Sequence, residues 1–234
     1  LAKAVKNATE LDHLRRTMIR DGVAMVRFLH WLERSVGRSD VTELGAAKKL
    51  LEFRAMGENF MGEAFRTISA YRGHGALPHY SVDEESNVLL QPAGTYLVDS
   101  GAQYLDGTTD ITRTLALDEP GEQARRDFTL VLKGHIGLAT LKFPQGTSGG
   151  MIDAISREHL WRERMTFRHG TGHGVGFYLN VHEGPQRIGQ SDSGSALLPG
   201  MIISNEPGLY RPEQYGIRIE NLVVVQEDGT SEFG

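Results

Sequence analysis

The sequence predicts an α+β fold built from two related halves, and two observations support this prediction. Helix-type and strand-type patterns occur in the order helix, helix, strands, and the same order then occurs a second time. In addition, the segments PAGTYLVDSG and LPGMIISNEPG each contain a proline and a glycine, then an apolar strand, then a carboxylate ahead of a glycine. We therefore expect two similar units with no long linker between them.

Four helices are predicted from apolar side chains that recur at helical spacing. The first covers about residues 9–34 and has Asn7 or Thr9 as its capping residue. The second follows Asp40, the third lies within residues 121–143, and the fourth covers residues 151–164. His135 falls on the apolar stripe of the third helix and is interpreted as a packing residue.

Carboxylates stand at the ends of apolar strands in both halves. Asp99 ends the strand TYLVD, and Asp110 follows eleven residues later across a turn, where antiparallel pairing lets the two face each other. Glu206 ends MIISNE, and Glu220 lies fourteen residues further on in GIRIEN. Buried charges are normally paired or bound to metal, so these four acids predict two divalent cations with a bridging hydroxide between them.

Each acid has a simpler interpretation when it is taken alone. Asp99 before a glycine is typical of a turn residue that accepts backbone hydrogen bonds. Glu220 can pair with Arg218, two residues earlier on the same strand face. The combination of two hairpins with two acids each, beside a histidine flanked by glycines, favours the metal site.

The segment HGTGHGVG, residues 169–176, carries two histidines four residues apart. On a helix this spacing suits zinc, but each glycine in a helix interior costs about 1 kcal/mol relative to alanine, so a helix is not expected. On an extended strand His169 and His173 lie about 13 Å apart, too far to bind one ion together. We predict an extended segment with at most one ligand, whose glycines let the backbone approach a metal or a bound chain.

The composition excludes several classes of protein. The 234 residues are 39% hydrophobic and 24% charged with a net charge of −5, which is typical of a globular protein and not of a nucleic-acid binder. No apolar run approaches about 18 residues, so no membrane segment is expected. The sequence has no cysteine, which fits a cytoplasmic protein and leaves oxygen and imidazole as the metal ligands.

Five motifs occur in the order VDSGAQYLDGTTDITRT, HGTGHGVG, NVHEGP, SNEPGLY and GIRIEN. In this order they resemble the catalytic domain of the pita-bread metallopeptidases, specifically the Xaa-Pro aminopeptidases, over nearly the whole chain. The resemblance implies the pita-bread fold, in which two pseudo-symmetric halves form a curved antiparallel sheet covered by helices. It also implies hydrolysis of the first peptide bond of peptides with proline at the second position.

The same resemblance implies a dinuclear metal site, usually of manganese (Mn²⁺), with cobalt or zinc as alternatives. Asp99 would chelate one ion, His173 and Glu206 would bind the other, and Asp110 and Glu220 would bridge both. Glu206 would also be catalytic, because it would carry the proton between the bridging water and the leaving amine.

Four further residues match positions of the family that contact the substrate or the ligands. His79 in GALPHY and His182 in NVHEGP match catalytic histidines that bind the scissile carbonyl group and stabilise the oxyanion. His169 matches a residue that lines the substrate pocket, and Arg218 matches an arginine that orients the metal-binding carboxylates. The aromatic pair at 177–178 either forms a wall of the proline pocket or packs in the core.

We expect residues 1–234 to be one catalytic domain of a longer enzyme, without the N-terminal creatinase-like domains and the C-terminal tail of its relatives. The expected partners are peptide substrates and, in the full-length enzyme, a second copy of the chain, with no nucleic acid and no membrane. Four alternatives remain: a prolidase restricted to Xaa-Pro dipeptides, a methionine aminopeptidase, a metal-free creatinase and a non-catalytic peptide-binding domain. The intact set of five ligand positions argues against the last two.

Overall fold

The computed structural model describes residues 2–191, 194–230 and 232. Its helices are α1 (Ala8–Ser35), α2 (Glu43–Ala55), a 3₁₀-helix (Arg72–Ala76), α3 (Glu122–Ala139) and α4 (Gly149–Arg162). Its strands are β1 (Phe60–Glu63), β2 (Ile68–Tyr71), β3 (Thr95–Ser100), β4 (Ala102–Tyr104), β5 (Gly107–Thr108), β6 (Ile111–Ala116), β7 (Gly172–His173), β8 (Arg187–Ile188), β9 (Ile202–Asn205), β10 (Gly208–Arg211), β11 (Tyr215–Arg218) and β12 (Asn221–Val224). A pair of helices therefore precedes a set of strands in each half, and the α+β prediction is confirmed.

Capping residues set the beginnings of the first two helices. Asn7 accepts a hydrogen bond from the N–H of Glu10 at 3.0 Å, and the Glu10 carboxylate accepts one from the N–H of Asn7 at 2.8 Å. Of the two predicted caps, Asn7 is therefore the one that is used. Thr42 caps α2 by accepting from the N–H of Gly45 at 3.1 Å, so this helix begins later than the predicted start after Asp40.

The first half is organised around β3, the central strand of an antiparallel sheet in the order β2, β3, β6. Its register pairs Asp99 with Thr112, while Asp110 lies one residue before β6. Asp110 is therefore diagonal to Asp99, and the expectation that these two acids face each other directly is wrong. Because Asp110 and Thr112 are two residues apart on an extended strand, all three side chains still emerge on one face.

The second half contains one long antiparallel hairpin, in which β9 and β10 run against β11 and β12. β9 pairs with β12 through Asn205 and Asn221, and three residues further on the pairing of β10 with β11 begins in the same register. This register places Glu206 opposite Glu220 at the interruption between the two pairings. The predicted juxtaposition of these acids across a hairpin agrees with the structure.

The hairpins of the two halves lie side by side and are joined by backbone and threonine hydrogen bonds. The N–H of Glu220 donates to the carbonyl oxygen of Thr112 at 3.2 Å. The Thr114 hydroxyl donates to the carbonyl oxygen of Arg218 at 2.9 Å and accepts from its N–H at 3.1 Å. Carboxylates that are more than a hundred residues apart in the chain therefore reach one place.

Each half has its own hydrophobic core between its helices and its strands. One cluster joins α1 and α2 to β2, β3 and β6, and another joins α3 and α4 to β10 and β11; their buried members include Phe28, Leu32, Leu50, Tyr96, Val98, Val131, Leu160, Leu209 and Ile217. These cores fix the hairpins against the helices. In the described ranges, no helix combines the length and the apolar character needed to cross a bilayer.

Candidate metal centre

The predicted ligands converge where the two hairpins meet. Asp110, His173 and Glu220 each offer one ligand atom, and these three atoms all lie within 4.8 Å of one another. Nε2 of His173 lies 3.2 Å from Oε1 of Glu206 and 3.5 Å from Oδ2 of Asp110. Asp99 lines the same cleft from the neighbouring strand. The structure therefore brings together all five positions at which the sequence predicts metal ligands.

His173 lies on an extended strand beside β9, as its flanking glycines predict. The N–H of His173 donates to Oγ of Ser204 at 3.0 Å. A Cβ on Gly172 would lie 1.9 Å from the carbonyl oxygen of Ser204, and one on Gly174 would lie 2.1 Å from that of Glu183. These glycines allow the close packing of neighbouring backbones, while the predicted approach of a metal or a bound chain stays a prediction.

The hydrogen bond at Nδ1 of His173 orients its ring. Nδ1 lies 3.0 Å from the carbonyl oxygen of Gly174, and because a carbonyl oxygen only accepts, Nδ1 carries a proton. Nε2 therefore faces the carboxylates, where it donates to Glu206 when the ring is charged and binds a cation when the ring is neutral. Burial opposes the charged ring, but the hydrogen bond and the negative charge of Glu206 raise the pKa of His173 above its ordinary value.

The four acids differ in their electrostatic environment. Burial raises the pKa of Asp110 and Glu220 well above the ordinary value, and the charge of Asp99 adds to this effect on both. Burial also raises the pKa of Asp99 itself. At Glu206 burial acts in the same direction, but the hydrogen bond from His173 and nearby positive charge lower its pKa. Glu206 is thus the acid whose ionised form is favoured, while the other three gain most from a bound cation.

A series of hydrogen bonds connects Asp99 with His169. The guanidinium of Arg218 donates to Oδ2 of Asp99 at 2.7 Å and to the hydroxyl of Tyr210 at 2.7 Å. That hydroxyl lies 2.7 Å from Nε2 of His169, whose Nδ1 lies 2.8 Å from the carbonyl oxygen of Gly170. Because Nδ1 must donate, Nε2 accepts from Tyr210 and has no lone pair left for a metal. His169 therefore faces the cleft as a residue held in place, and not as a ligand.

The simple ion pair between Glu220 and Arg218 does not form. Arg218 is turned towards Asp99, and Oε2 of Glu220 accepts from the hydroxyl of Thr112 at 2.6 Å. Oδ1 of Asp99 is buried and has no hydrogen-bond partner among the described residues. The sequence did not predict these roles of Thr112 and Tyr210, because neither residue has a type or spacing that marks a partner of a carboxylate or a histidine.

A cleft of about 890 Å³ contains the cluster, and both predicted catalytic histidines line it. The ring of His182 stands edge-on to that of His173 with 4.2 Å between the centroids. Burial and the charge of His173 lower the pKa of His182. His79 borders the cleft, and the apolar side chains of Phe65 and Ile68 line it as well.

The aromatic pair at 177–178 lies outside this cleft. Phe177 stacks on His13 of α1 with 6.5 Å between the ring centroids. Tyr178 is 42% exposed. Phe177 therefore packs against α1 and outside the hydrophobic core clusters, and Tyr178 is exposed, so neither expectation is confirmed for the pair.

The loop that carries His79 is fixed by a buried carboxylate that the sequence did not reveal. Glu43 at the start of α2 is fully buried, and its carboxylate accepts from the N–H of Tyr71 at 2.6 Å and from the hydroxyl of Tyr80 at 3.0 Å. Nδ1 of His74 lies 2.9 Å from the same carboxylate. These contacts hold the chain on both sides of His79. An acid in the first turn of a helix is common for electrostatic reasons alone, so the sequence carries no further signal.

His135 is buried on α3 as predicted, but it also makes directed hydrogen bonds. Nδ1 lies 3.0 Å from the carbonyl oxygen of Asn205, and Nε2 lies 3.2 Å from the amide nitrogen of Asn221. The ring is therefore neutral, with Nδ1 donating and Nε2 accepting, and burial lowers its pKa. His135 fixes the residues that adjoin Glu206 and Glu220 on the two strands of the hairpin.

The fold and the cluster of acids define the class of this protein. The profile of metallopeptidase family M24 matches residues 12–227, and the chain belongs to this family. The resemblance drawn from the five motifs is thereby confirmed. The similarity to solved structures of such peptidases confirms the pita-bread fold.

Individual relatives show how far the similarity extends. A probable Xaa-Pro aminopeptidase P from Tuber melanosporum is 50% identical over 232 residues, which cover 98% of this chain and 38% of the relative. The X-prolyl aminopeptidase from Caenorhabditis elegans, described as a cytosolic enzyme with a di-nuclear active site, gives a TM-score of 0.91 at 45% identity over 94% of this chain and 36% of that one. The prolidase from Pyrococcus furiosus gives 0.81 at 29% identity over 97% and 64%. The chain thus spans well under half the length of these aminopeptidases.

Proposed function

We propose that this chain is the catalytic domain of an aminopeptidase that removes the N-terminal residue from peptides with proline at the second position. The observation that carries the proposal is the cluster of four acids and one histidine, His173, in a cleft lined by His79 and His182. The high identity to Xaa-Pro aminopeptidases, compared with 29% to a prolidase, favours longer peptides over dipeptides alone.

Two divalent metal ions fit the donor set of this site. Asp99 would hold one ion, His173 and Glu206 the other, and Asp110 and Glu220 would contact both. The buried Oδ1 of Asp99 lacks a partner among the described residues, and the raised pKa of the crowded acids favours a cation between them. One imidazole nitrogen among carboxylate oxygens suits Mn²⁺ better than a thiolate-seeking metal, with cobalt or zinc as substitutes.

The protein side chains would then act on a peptide in the following way. When bound, the two ions supply Lewis acidity and an activated water for attack on the carbonyl carbon. Glu206, whose pKa is lowered, would accept the proton and pass it to the leaving proline nitrogen. His79 and His182 would bind the carbonyl oxygen as negative charge develops on it.

A proline after the scissile bond needs a specific site, because its nitrogen has no N–H to donate. Phe65, Ile68 and Pro78 give the cleft an apolar wall that suits a pyrrolidine ring. His169 would line the pocket beside them. Arg218, through its hydrogen bond to Asp99, would orient a metal-binding carboxylate.

Three further parts of the proposal concern the protein as a whole. The chain corresponds to the catalytic part of a longer enzyme, because the two aminopeptidases described above are more than twice its length. The full-length enzyme is a homodimer. It acts in the cytoplasm, which fits the absence of cysteine from this sequence.

The test is an assay of the manganese-loaded chain on an Xaa-Pro dipeptide, an Xaa-Pro-Pro tripeptide and a Met-Ala-Ser peptide. We expect cleavage of the proline tripeptide and loss of more than about 100-fold in kcat/KM in Asp110→Asn. Asp118→Asn, an exposed aspartate beyond the end of β6, is the matched control and is expected to retain activity.

Cleavage of the dipeptide alone would identify a prolidase, and cleavage of the methionine peptide alone would identify a methionine aminopeptidase. Full activity of Asp110→Asn would contradict the assignment of the metal ligands.

A further inference from the structure

Two arginines line the cleft without an ionic partner in the part of the chain that the structure describes. Arg168 and Arg187 are exposed and border the same cleft as the acid cluster. Across residues 2–191, 194–230 and 232, neither guanidinium forms a hydrogen bond, ion pair or ring contact. We call these two residues the rim arginines.

Some exposed arginines elsewhere in this chain have acidic partners, whereas others, such as Arg15 and Arg27, have none among the described residues. Examples of the paired arginines are the ion pairs Arg16–Asp12, Arg126–Glu163 and Arg162–Glu158. The four acids of the cluster do not pair with the rim arginines either: Asp99 pairs with Arg218, Glu206 and Asp110 lie beside His173, and Glu220 accepts from Thr112. The rim arginines therefore offer free positive charge at the opening of a site whose protein ligands are negative.

The strand register places Arg187 next to the proposed metal site. β7 pairs with β8 so that His173 is the direct antiparallel partner of Arg187. Directly opposed residues project from the same face of a two-stranded ribbon, with their Cβ atoms about 4.5–5.5 Å apart. The neighbour Ile188 is buried on the other face while Arg187 is exposed, as strand alternation requires. The side chain therefore leaves the ribbon on the same face as His173, and its guanidinium lies over Gly170 and Gly189 at the border of the cleft.

The position of the rim arginines suits the part of a peptide that follows the scissile bond. If the amino end of a peptide is held at the acid cluster, the rest of the peptide must leave through the open side of the cleft. A guanidinium presents a planar set of N–H donors that matches a carboxylate, and arginine is suited to this role because it stays charged. No protein carboxylate competes for these donors among the described residues.

We infer that Arg187, assisted by Arg168, forms a subsite for a substrate carboxylate located after the proline. This inference rests on the proposed aminopeptidase activity and deepens it. The carboxylate has two sources: the C-terminus of a short peptide, or an acidic side chain in a longer one. In either case the subsite selects substrates by charge at a position remote from the bond that is cleaved.

The test compares matched peptides on the manganese-loaded chain at low ionic strength. Ala-Pro-Ala with a free C-terminus is compared with its C-terminal amide, and Ala-Pro-Asp amide is compared with Ala-Pro-Asn amide. We expect the charged member of at least one pair to have a kcat/KM about fivefold higher, mainly through KM. The first pair reports on the C-terminus and the second on an acidic side chain.

Variants assign this preference to the rim arginines. Arg187→Gln and the double variant Arg168→Gln/Arg187→Gln are expected to bring the charged-to-neutral ratio close to one. Arg15→Gln, at an exposed arginine of α1 outside the cleft, is the matched control and should keep the ratio of the unaltered protein. Raising the ionic strength to about 1 M should reduce the ratio in the unaltered protein, because exposed charges are then screened.

The outcomes separate this inference from the proposed activity. Equal cleavage of charged and neutral peptides by the unaltered protein would overturn the inference and leave the aminopeptidase activity intact. A ratio that survives in the double variant would overturn it as well. If no peptide is cleaved, the proposed activity is wrong, and the inference that rests on it falls with it.

Discussion

Replacement of Arg157 by alanine is expected to destabilise the protein by about 3–5 kcal/mol. The residue is only 2% exposed, and its Nε donates to the Asp153 carboxylate at 2.7 Å. Its terminal nitrogens donate to the carbonyl oxygens of Phe167 at 2.6 Å and His169 at 2.9 Å. The variant leaves the buried charge of Asp153 without its counter-charge, and this orphaned carboxylate is the main source of the loss.

The same helix provides a matched control for this prediction. Arg162 pairs with Glu158 at the same i,i+4 spacing, but these side chains are 70% and 48% exposed. An exposed helix pair of this kind contributes about 0.3–0.5 kcal/mol, so Arg162→Ala is expected to cost no more than this. Both variants replace arginine by alanine on α4, so the difference between them measures the effect of burial.

Urea unfolding followed by circular dichroism measures both free energies, provided that the slope with urea concentration is unchanged between variants. Equal losses for Arg157→Ala and Arg162→Ala would refute the reasoning. The double variant Asp153→Asn/Arg157→Ala removes the orphaned charge as well, and it is expected to be more stable than Arg157→Ala alone. A double variant that is less stable would show that lost hydrogen bonds, and not the unpaired charge, dominate.

Three further predictions concern other parts of the structure. At pH 8, Asp110→Asn is expected to raise the melting temperature of the metal-free protein, because it removes a crowded buried charge. The variant is also expected to show a smaller increase in melting temperature when Mn²⁺ is added. Calorimetry that shows the same Mn²⁺-dependent increase in both proteins would contradict this prediction. Gly172→Ala places a Cβ 1.9 Å from a carbonyl oxygen and is expected to destabilise the protein by more than about 2 kcal/mol. Gly22→Ala, whose Cβ has nothing within 4 Å, should stabilise α1 by about 0.5–1 kcal/mol. Urea unfolding should therefore show changes in the free energy of unfolding of opposite sign. Burial lowers the pKa of His135 in the folded protein. Its neutral ring therefore contributes its full stabilisation above the pKa of the unfolded state, about 6.5, and this stabilisation is lost as the pH falls below that pKa. The loss of stability at acidic pH should be smaller in His135→Gln, and an equal loss in both proteins would contradict the prediction.

The sequence was sufficient for features that depend on local interactions. The capping box at Asn7 and the apolar spacing that follows it specify α1 without reference to the rest of the fold. The glycines around His173 exclude a helix because each glycine lowers helix stability by itself, whatever the rest of the fold is. Strand ends with acids, such as Asp99 and Glu206, predicted the acid cluster because a buried carboxylate requires compensation wherever it is placed.

Local patterns failed where a residue has a choice among several partners. Glu220 lies two positions after Arg218 on the same strand face, and this spacing suggested an ion pair, but the structure pairs Arg218 with Asp99. Asp110 was expected opposite Asp99, but the strand register shifts it by two residues. Register and partner choice depend on how β3, β6 and β11 are brought together, which no single strand encodes.

The sequence by itself determined the family of this protein, the helices, the extended glycine-rich segment, and which acids and which histidine are the candidate metal ligands. The tertiary structure alone decided how that site is held, through the buried carboxylate of Glu43, the guanidinium of Arg157 and the ring of His135. It also decided that Arg187 is the strand partner of His173, with no carboxylate paired to it among the described residues. The physical reason is that residue type fixes which interactions a side chain can make, while the packing of distant segments fixes which of them it does make.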